Sequence, residues 1–206
     1  MTMRVLLLGA RGNRTAVSLL VVACVGLWAA LFGATFVALP RIAPPEMPDG
    51  TTALVEQLGV IVLALTPAPH LALLGRDGSG WLQLSPRNDR LIRASRLGVQ
   101  LSFSAACGIA TVSLVPAKLN YSQLAGIWLA AWGVGLLACA AWGTIAAVAI
   151  PGSLTIFLSI PKMVPWSRNF IFNPDLVDTM RQLGILTFIA GALVFSYLGG
   201  ADDRRR

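Results

Sequence analysis

The chain has 206 residues, of which 56% are hydrophobic and only 12% are charged, whereas a typical soluble domain carries about 25% charged residues. The apolar residues occur in long runs, and a helix needs roughly 20 of them to cross a bilayer, so this composition excludes an ordinary soluble domain. The net charge of +7 indicates orientation in the membrane and contact with anionic lipid, and it argues against nucleic-acid binding. We therefore expect an all-α, multi-pass membrane protein with a single transmembrane domain over residues 1–206.

The first half of the chain contains three predicted spans. They cover about 16–39, 54–74 and 97–115. The N-terminal tail carries three arginines and the segment 75–96 carries five, whereas the connections 40–52 and 116–122 carry one basic residue each. Because basic segments stay in the cytoplasm, we predict that the N-terminus and the 75–96 loop are cytoplasmic and that the protein is a multi-pass protein of the cell membrane.

The region 123–161 contains no charged residue and is too long for one span. In one interpretation it forms two tightly joined spans, which gives six spans in all, with the last at about 183–198 and both termini cytoplasmic. In the other it forms one long helix broken at Pro151-Gly152, which gives five spans and an external C-terminus. Both interpretations place the same number of basic residues inside. The arginines at 204–206 favour six spans, because such a tail is normally retained in the cytoplasm.

Small residues recur at every fourth position within this region. They are Ala131, Gly135, Cys139, Gly143 and Ala147. Such a stripe lets another helix approach closely, so we predict a helix-packing face here, and the regular spacing favours a continuous helix. The residues that follow, 162–181, are rich in Pro, Trp, Phe and Asn, which predicts an ordered external element before the last span.

An arginine recurs at every third position in the 75–96 loop. The four residues are Arg87, Arg90, Arg93 and Arg96. Ser85-Pro86 is a good helix start, so we predict a short basic amphipathic helix on the cytoplasmic surface. Three interpretations stay open: an orientation signal that also anchors lipid headgroups, a docking site for a cytoplasmic ATPase, or part of an anion channel.

A single histidine, His70, follows Pro67 and Pro69 at the cytoplasmic end of the second span. Prolines leave backbone carbonyls unpaired, so His70 could line a pathway through the membrane, although an imidazole beside a helix kink is the simpler interpretation. Trp132 and Trp142 are predicted to lie deeper in the membrane. There they either line an apolar cavity, as part of the same pathway, or face lipid and serve in packing.

The sequence contains no recognisable catalytic set. Thr66 is near His70 in the chain, but two prolines separate them and no acid is close. The cysteines Cys24, Cys107 and Cys139 lack the spacing of a zinc or redox site and are interpreted as packing residues. We therefore predict that this chain is not an enzyme and that it holds no metal and no cofactor.

The stretch NPDLVDTMR supplies an Asn-Pro pair, Asn173-Pro174, followed by Asp178 and Arg181. With six spans, a helical cytoplasmic loop between the second and third, and an external element before the last, the chain resembles the transmembrane subunit of bacterial ABC-2-type exporters. The resemblance implies that the arginine segment seats on an ATPase and that a second membrane subunit completes a homo- or heterodimer.

The chain has no GxxxxGK[ST] phosphate loop, so a separate subunit must supply ATP hydrolysis. The near absence of charge within the spans fits a lipid-like or hydrophobic peptide cargo. The alternative is a non-transporting accessory or assembly subunit of a larger membrane complex.

Overall fold

The computed structural model describes most of the chain from residue 61 onward. The described residues are 17, 19, 20, 23, 24, 61–75, 89–114, 120–159, 164–171 and 173–201. Most of the first predicted span, the 40–52 loop, most of the 75–96 loop with Arg87, and the arginines at 204–206 lie outside the described residues.

The described part of the chain is helical and contains no strand, which confirms the all-α prediction for these residues. The five α-helices are α1 (Pro67–Gly75), α2 (Asp89–Leu114), α3 (Tyr121–Trp142), α4 (Thr144–Ser159) and α5 (Val177–Leu198). Helical residues 61–65 precede α1, and two 3-10 turns, Trp166–Arg168 and Pro174–Leu176, connect α4 to α5.

Two described helices, α3 and α5, are long and apolar enough to cross a membrane. The helices Ile61–Leu74 and Thr144–Leu158 are apolar but shorter. Length and composition therefore support membrane association of the chain.

The helix before α1 ends in a turn at Thr66, whose hydroxyl donates to the Leu63 carbonyl oxygen over 2.7 Å. The chain re-enters helix at Pro67, where the missing N–H of a proline costs no helical hydrogen bond. The Thr66 hydroxyl thus donates its hydrogen bond to the backbone of the preceding turn and not to His70.

The apolar region 121–159 forms two helices that meet at Gly143. This residue has a φ of 99°, in the left-handed region that favours glycine, and its N–H donates to the Cys139 carbonyl oxygen over 3.0 Å. Pro151 lies inside α4. The interpretation of one long helix broken at Pro151-Gly152 is therefore wrong, because the helix ends at Trp142.

The buried apolar side chains form two clusters, one at each end of the bundle. The first, here called the arginine end, contains Leu71, Leu74, Leu97, Trp132, Leu136, Cys139, Ala147 and Phe195. The second, here called the amide end, contains Leu63, Ala64, Leu124, Ile127, Ile171 and Met180.

Each helical segment connects these two ends, and successive segments run in opposite directions. Residues 61–75 pass from the amide end to the arginine end, and α2 returns, since Leu97 packs in the first cluster and Val112 against the second. The two clusters also contain or contact residues from opposite ends of α3, α4 and α5. Helices α3 and α5 therefore run in the same direction as residues 61–75, and α4 runs in the opposite direction. The described helices thus form an up-and-down bundle.

Helices α3 and α5 run parallel and touch through their backbones along a line of glycines, here called the glycine seam. It consists of Gly126 and Gly133 on α3 and Gly184 and Gly191 on α5. A methyl group at Gly126 would lie 2.9 Å from backbone atoms of Arg181, and one at Gly191 would lie 2.5 Å from the Gly133 carbonyl oxygen. Real Cβ atoms do not make contacts this short, so the seam requires glycine.

Candidate functional site

A stripe of polar side chains follows the inner face of α2. It consists of Gln100, Ser104, Cys107 and Thr111, all buried. Spacings of four, three and four residues place them on one side of a helix. In an otherwise apolar bundle, buried polar groups must find partners inside the protein, and this stripe faces α1 and α3.

The imidazole of His70, on α1, lies between two members of this stripe. Its Nδ1 is 2.9 Å from Gln100 Oε1, and its Nε2 is 3.9 Å from Cys107 Sγ. With Gln100 Oε1 as its partner, Nδ1 is the donor of this contact, because a carbonyl oxygen only accepts hydrogen bonds. The Nε2 lone pair therefore faces the thiol.

Helix α3 contributes a second contact through Trp132, which is fully buried. Its Nε1–H donates to Ser104 Oγ over 3.1 Å. The neighbouring Trp128 packs edge-on against Trp132, with 6.2 Å between ring centroids. The buried Trp128 Nε1–H has no hydrogen-bond partner within the described part of the chain.

The three residues predicted to line a pathway lie at two different places. His70 and Trp132 belong to the same buried polar cluster, because each contacts the α2 stripe. Trp142 lies at the last position of α3, where 65% of it is exposed. The cluster made of His70, Gln100, Ser104, Cys107 and Trp132 is the candidate functional site, and we call it the polar cluster.

Sequence reasoning missed Cys107, Gln100 and Ser104 as partners of His70. Cys107 lies 37 positions from His70 in the chain, so neighbouring residues in the sequence do not reveal this contact. A signal was available in the sequence, because polar residues at helical spacing on one face of an apolar span indicate a buried polar contact.

Chemically, the cluster pairs a thiol with a correctly oriented imidazole. Cys107 and His70 are 1% and 0% exposed, so both groups are buried in the folded bundle. Such a pair can share a proton, or it can hold a soft metal ion between sulfur and nitrogen. No group of three or more His, Cys, Asp or Glu side chains suited to a metal occurs among the described residues.

The predicted docking arginines begin the same helix that carries the polar stripe. Arg90, Arg93 and Arg96 lie in α2, which is continuous from Asp89 to Leu114, so within the described residues the basic segment shares the axis of the helix that carries the polar stripe. Arg93 Nη1 donates to the Tyr197 carbonyl oxygen over 3.2 Å. This contact places a guanidinium at the C-terminal end of α5, where the helix dipole favours positive charge.

The predicted small-residue stripe is divided between two helices. Ala131, Gly135 and Cys139 are buried on α3, Gly143 is the junction, and Ala147 is buried on α4. A methyl group at Gly135 would lie 3.1 Å from the Ala147 carbonyl oxygen and would overlap the Leu71 side chain. These residues thus pack α3 against α4 and α1 within the chain.

The predicted external element is held in place by side-chain amides. Gln123 Nε2 donates to the carbonyl oxygens of Ile171 and Asn173, over 2.9 and 3.3 Å. Asn169 Nδ2 donates to the Leu158 carbonyl oxygen over 3.0 Å. The segment 164–176 is therefore anchored to the start of α3 and to the end of α4.

The residues that carry the exporter resemblance lie at the start of α5. Asn173 is buried, and its Oδ1 accepts from the Asp175 N–H over 2.9 Å, which begins the 3-10 turn at Pro174. Asp178 and Arg181 form an exposed ion pair of 2.9 Å. An exposed pair of this kind contributes little to stability.

No family model, no curated protein and no solved structure matches this chain.

Proposed function

We propose that this chain is a six-span membrane protein with both termini in the cytoplasm. The observation that carries this proposal is the hydrogen bond from Arg93 to the Tyr197 carbonyl oxygen. It joins the arginine-rich start of α2 to the end of the last helix. Since basic loops are retained in the cytoplasm, the end of α5 lies there too, and the span count is even.

The alternating directions of the described helices support the same count. Helices α4 and α5 also carry large apolar side chains on their exposed faces. These include Ile145, Leu154, Ile156, Leu186, Ile189 and Leu193. Faces of this kind suit contact with lipid tails or with another membrane subunit.

We further propose that the protein is the membrane subunit of an exporter that a separate ATPase drives. The anchored segment 164–176 before the last helix supports this proposal, as does the even span count, since both are features of the family that the chain resembles. The absence of charge from residues 121–160 fits a lipid-like or hydrophobic peptide cargo. A second copy or a related membrane subunit would complete the transporter.

Co-purification of an ATPase with the full chain tests the exporter proposal. Replacing Arg87 and Arg90 with Glu should remove the ATPase and leave the membrane protein folded, because these residues would seat on the acidic or polar surface of the partner. Arg93→Gln is the matched control. Arg93 contacts the end of α5 within the chain, so its loss should weaken the fold slightly and keep the ATPase bound.

An unchanged ATPase yield from the Arg87→Glu/Arg90→Glu variant would contradict the docking role of these arginines. Loss of the ATPase only in Arg93→Gln would contradict it as well, because the effect would then come through α5.

The second candidate is an accessory or assembly subunit. The observation that favours it is that α2 is one continuous helix from Asp89. A separate helix on the membrane surface would suit ATPase docking better. Under this alternative, purification yields another membrane protein bound to the apolar faces of α4 or α5, and no ATPase.

A further inference from the structure

We propose that Cys107 and His70 form a binding site for one soft monovalent metal ion, copper(I) or silver(I), held between the thiolate sulfur and imidazole Nε2. This inference is independent of the exporter proposal. It rests on the separation of the two atoms, the orientation of the imidazole and the charge of the surroundings.

The separation of the two ligand atoms fits one metal ion. Cys107 Sγ and His70 Nε2 are 3.9 Å apart. Metal bonds of about 2.3 Å to sulfur and about 2.0 Å to nitrogen span this distance at a ligand–metal–ligand angle of about 130°. Copper(I) and silver(I) with two ligands favour a near-linear arrangement, in which the same bonds place the two ligand atoms about 4.3 Å apart. Binding therefore requires the two side chains to separate by roughly 0.4 Å.

The other ring nitrogen of His70, Nδ1, makes the kind of hydrogen bond that orients histidines in known metal sites. A metal-binding histidine almost always donates its other N–H to a carbonyl or carboxylate oxygen, which fixes the tautomer and the ring orientation. Here Nδ1 donates to Gln100 Oε1 over 2.9 Å. Gln100 is thus a positioning residue that directs the Nε2 lone pair toward Cys107.

The charge of the surroundings selects a monovalent ion. A thiolate and a monovalent cation neutralise each other, whereas a divalent ion would leave one positive charge in a buried, apolar environment, which is costly. Structural zinc also requires four ligands, and the described residues contain no group of three or more suitable side chains. Thiolate and imidazole together suit a soft ion such as copper(I).

Binding exchanges a proton for the metal without a change in oxidation state. The S–H bond of Cys107 breaks, a sulfur–metal bond forms, and the proton leaves to the solvent, while Nε2 donates its lone pair to the ion. One proton is released per ion bound.

The test is a titration of the full chain, purified in detergent under anaerobic conditions, with copper(I) against a chromogenic chelator and with silver(I). We expect one ion and one released proton per chain. Cys107→Ser should abolish this stoichiometric binding, and Gln100→Leu should weaken the affinity about 10- to 100-fold. Cys24→Ser and Cys139→Ser are the matched controls and should bind one ion as the parent chain does.

Helical circular dichroism identifies variants that fail to fold. The Cys24→Ser/Cys139→Ser chain keeps Cys107 as its single cysteine, and X-ray absorption spectroscopy of its copper(I) complex should show one sulfur and one nitrogen neighbour. Absence of binding, absence of a sulfur neighbour, or unchanged binding by folded Cys107→Ser would each overturn the site. Equal affinity for zinc would overturn the choice of a monovalent ion.

Discussion

Helix α3 contacts its neighbours in two chemically different ways. Toward α5 it presents Gly126 and Gly133, and the two backbones meet without intervening side chains. Toward α2 it presents Trp132, whose indole N–H reaches Ser104. The contact with α5 requires residues without side chains, whereas the contact with α2 requires a hydrogen-bond partner for the Trp132 indole.

This difference separates packing from candidate function. The glycine seam contains no group that can bind a ligand or transfer a proton, so its role is to bring α3 and α5 together. The polar cluster places a thiol, an imidazole, an amide and a hydroxyl inside an apolar bundle, where polar groups are costly unless they are paired. We therefore expect ligand binding or proton transfer on the α2 side of α3, and a contribution to fold stability on the α5 side.

The largest effect is expected at the glycine seam. Gly133→Leu places a branched side chain against the backbone of Thr187 and Phe188. This backbone cannot move away without separating α5 from α3. We expect a loss of at least about 3 kcal/mol in the free energy of unfolding, measured by denaturant titration in detergent.

Gly98→Ala is the matched control for the seam. No atom lies within 4 Å of a methyl group at Gly98, and alanine is the better helix former by about 0.5–1 kcal/mol. Equal destabilisation by both variants would show that the seam has no special role.

A smaller effect is expected on the polar side of α3. Ser104→Ala removes the acceptor of the buried Trp132 N–H, and an unpaired buried donor costs about 1–3 kcal/mol. Ser102→Ala is the control, because the Ser102 hydroxyl is exposed and donates to the Gly98 carbonyl oxygen of its own helix. Thermal unfolding of the two variants should differ clearly, and similar curves would argue against the Trp132–Ser104 contact.

The amide end provides a third comparison. Gln123→Leu removes two hydrogen bonds to the carbonyl oxygens of Ile171 and Asn173, at about 1 kcal/mol each. Hydrogen exchange in the segment 164–176 should accelerate, while exchange in α2 should stay unchanged. Acceleration across the whole bundle would contradict a local anchoring role.

The smallest effect is expected at the arginine end. Arg93→Gln removes the guanidinium at the C-terminal end of α5, which is expected to cost about 0.3–1 kcal/mol at low ionic strength. High salt should reduce the difference between the parent chain and the variant, because salt screens partly exposed charges. A difference in unfolding free energy that does not change with salt would contradict an electrostatic contribution.

The helical class followed from the sequence because long apolar runs leave few alternatives. The position of the break in 121–159 did not, because the small-residue stripe passes through Gly143 without interruption and Pro151 was the more obvious breaker. A proline inside a helix removes the hydrogen bond from its own N–H to the carbonyl oxygen four residues earlier, and α4 nevertheless continues through Pro151 to Ser159. Glycine permits the positive φ found at Gly143, but the same region contains four other glycines, at 126, 133, 135 and 152, so the sequence alone does not choose among them.

Two residues of the polar cluster are conspicuous in the sequence. His70 is the single histidine, and Trp132 is one of six tryptophans, predicted to lie deep in the membrane. Cys107 and Gln100 did not stand out, because their relation to His70 depends on how α1 packs against α2. Arg93 was predicted to face a partner, and only the return of α5 to the arginine end brings the Tyr197 carbonyl oxygen within its reach.

The most direct test of the six-span proposal locates three sites relative to the membrane. Reporters active only in the cytoplasm and only outside are placed after Arg206, within the loop at 76–88, and within the turn at 115–119. The proposal predicts cytoplasmic signals from the first two positions and an external signal from the third. An external signal after Arg206 together with a cytoplasmic signal from 76–88 would contradict it, because the contact between Arg93 and Tyr197 requires both segments on the same side.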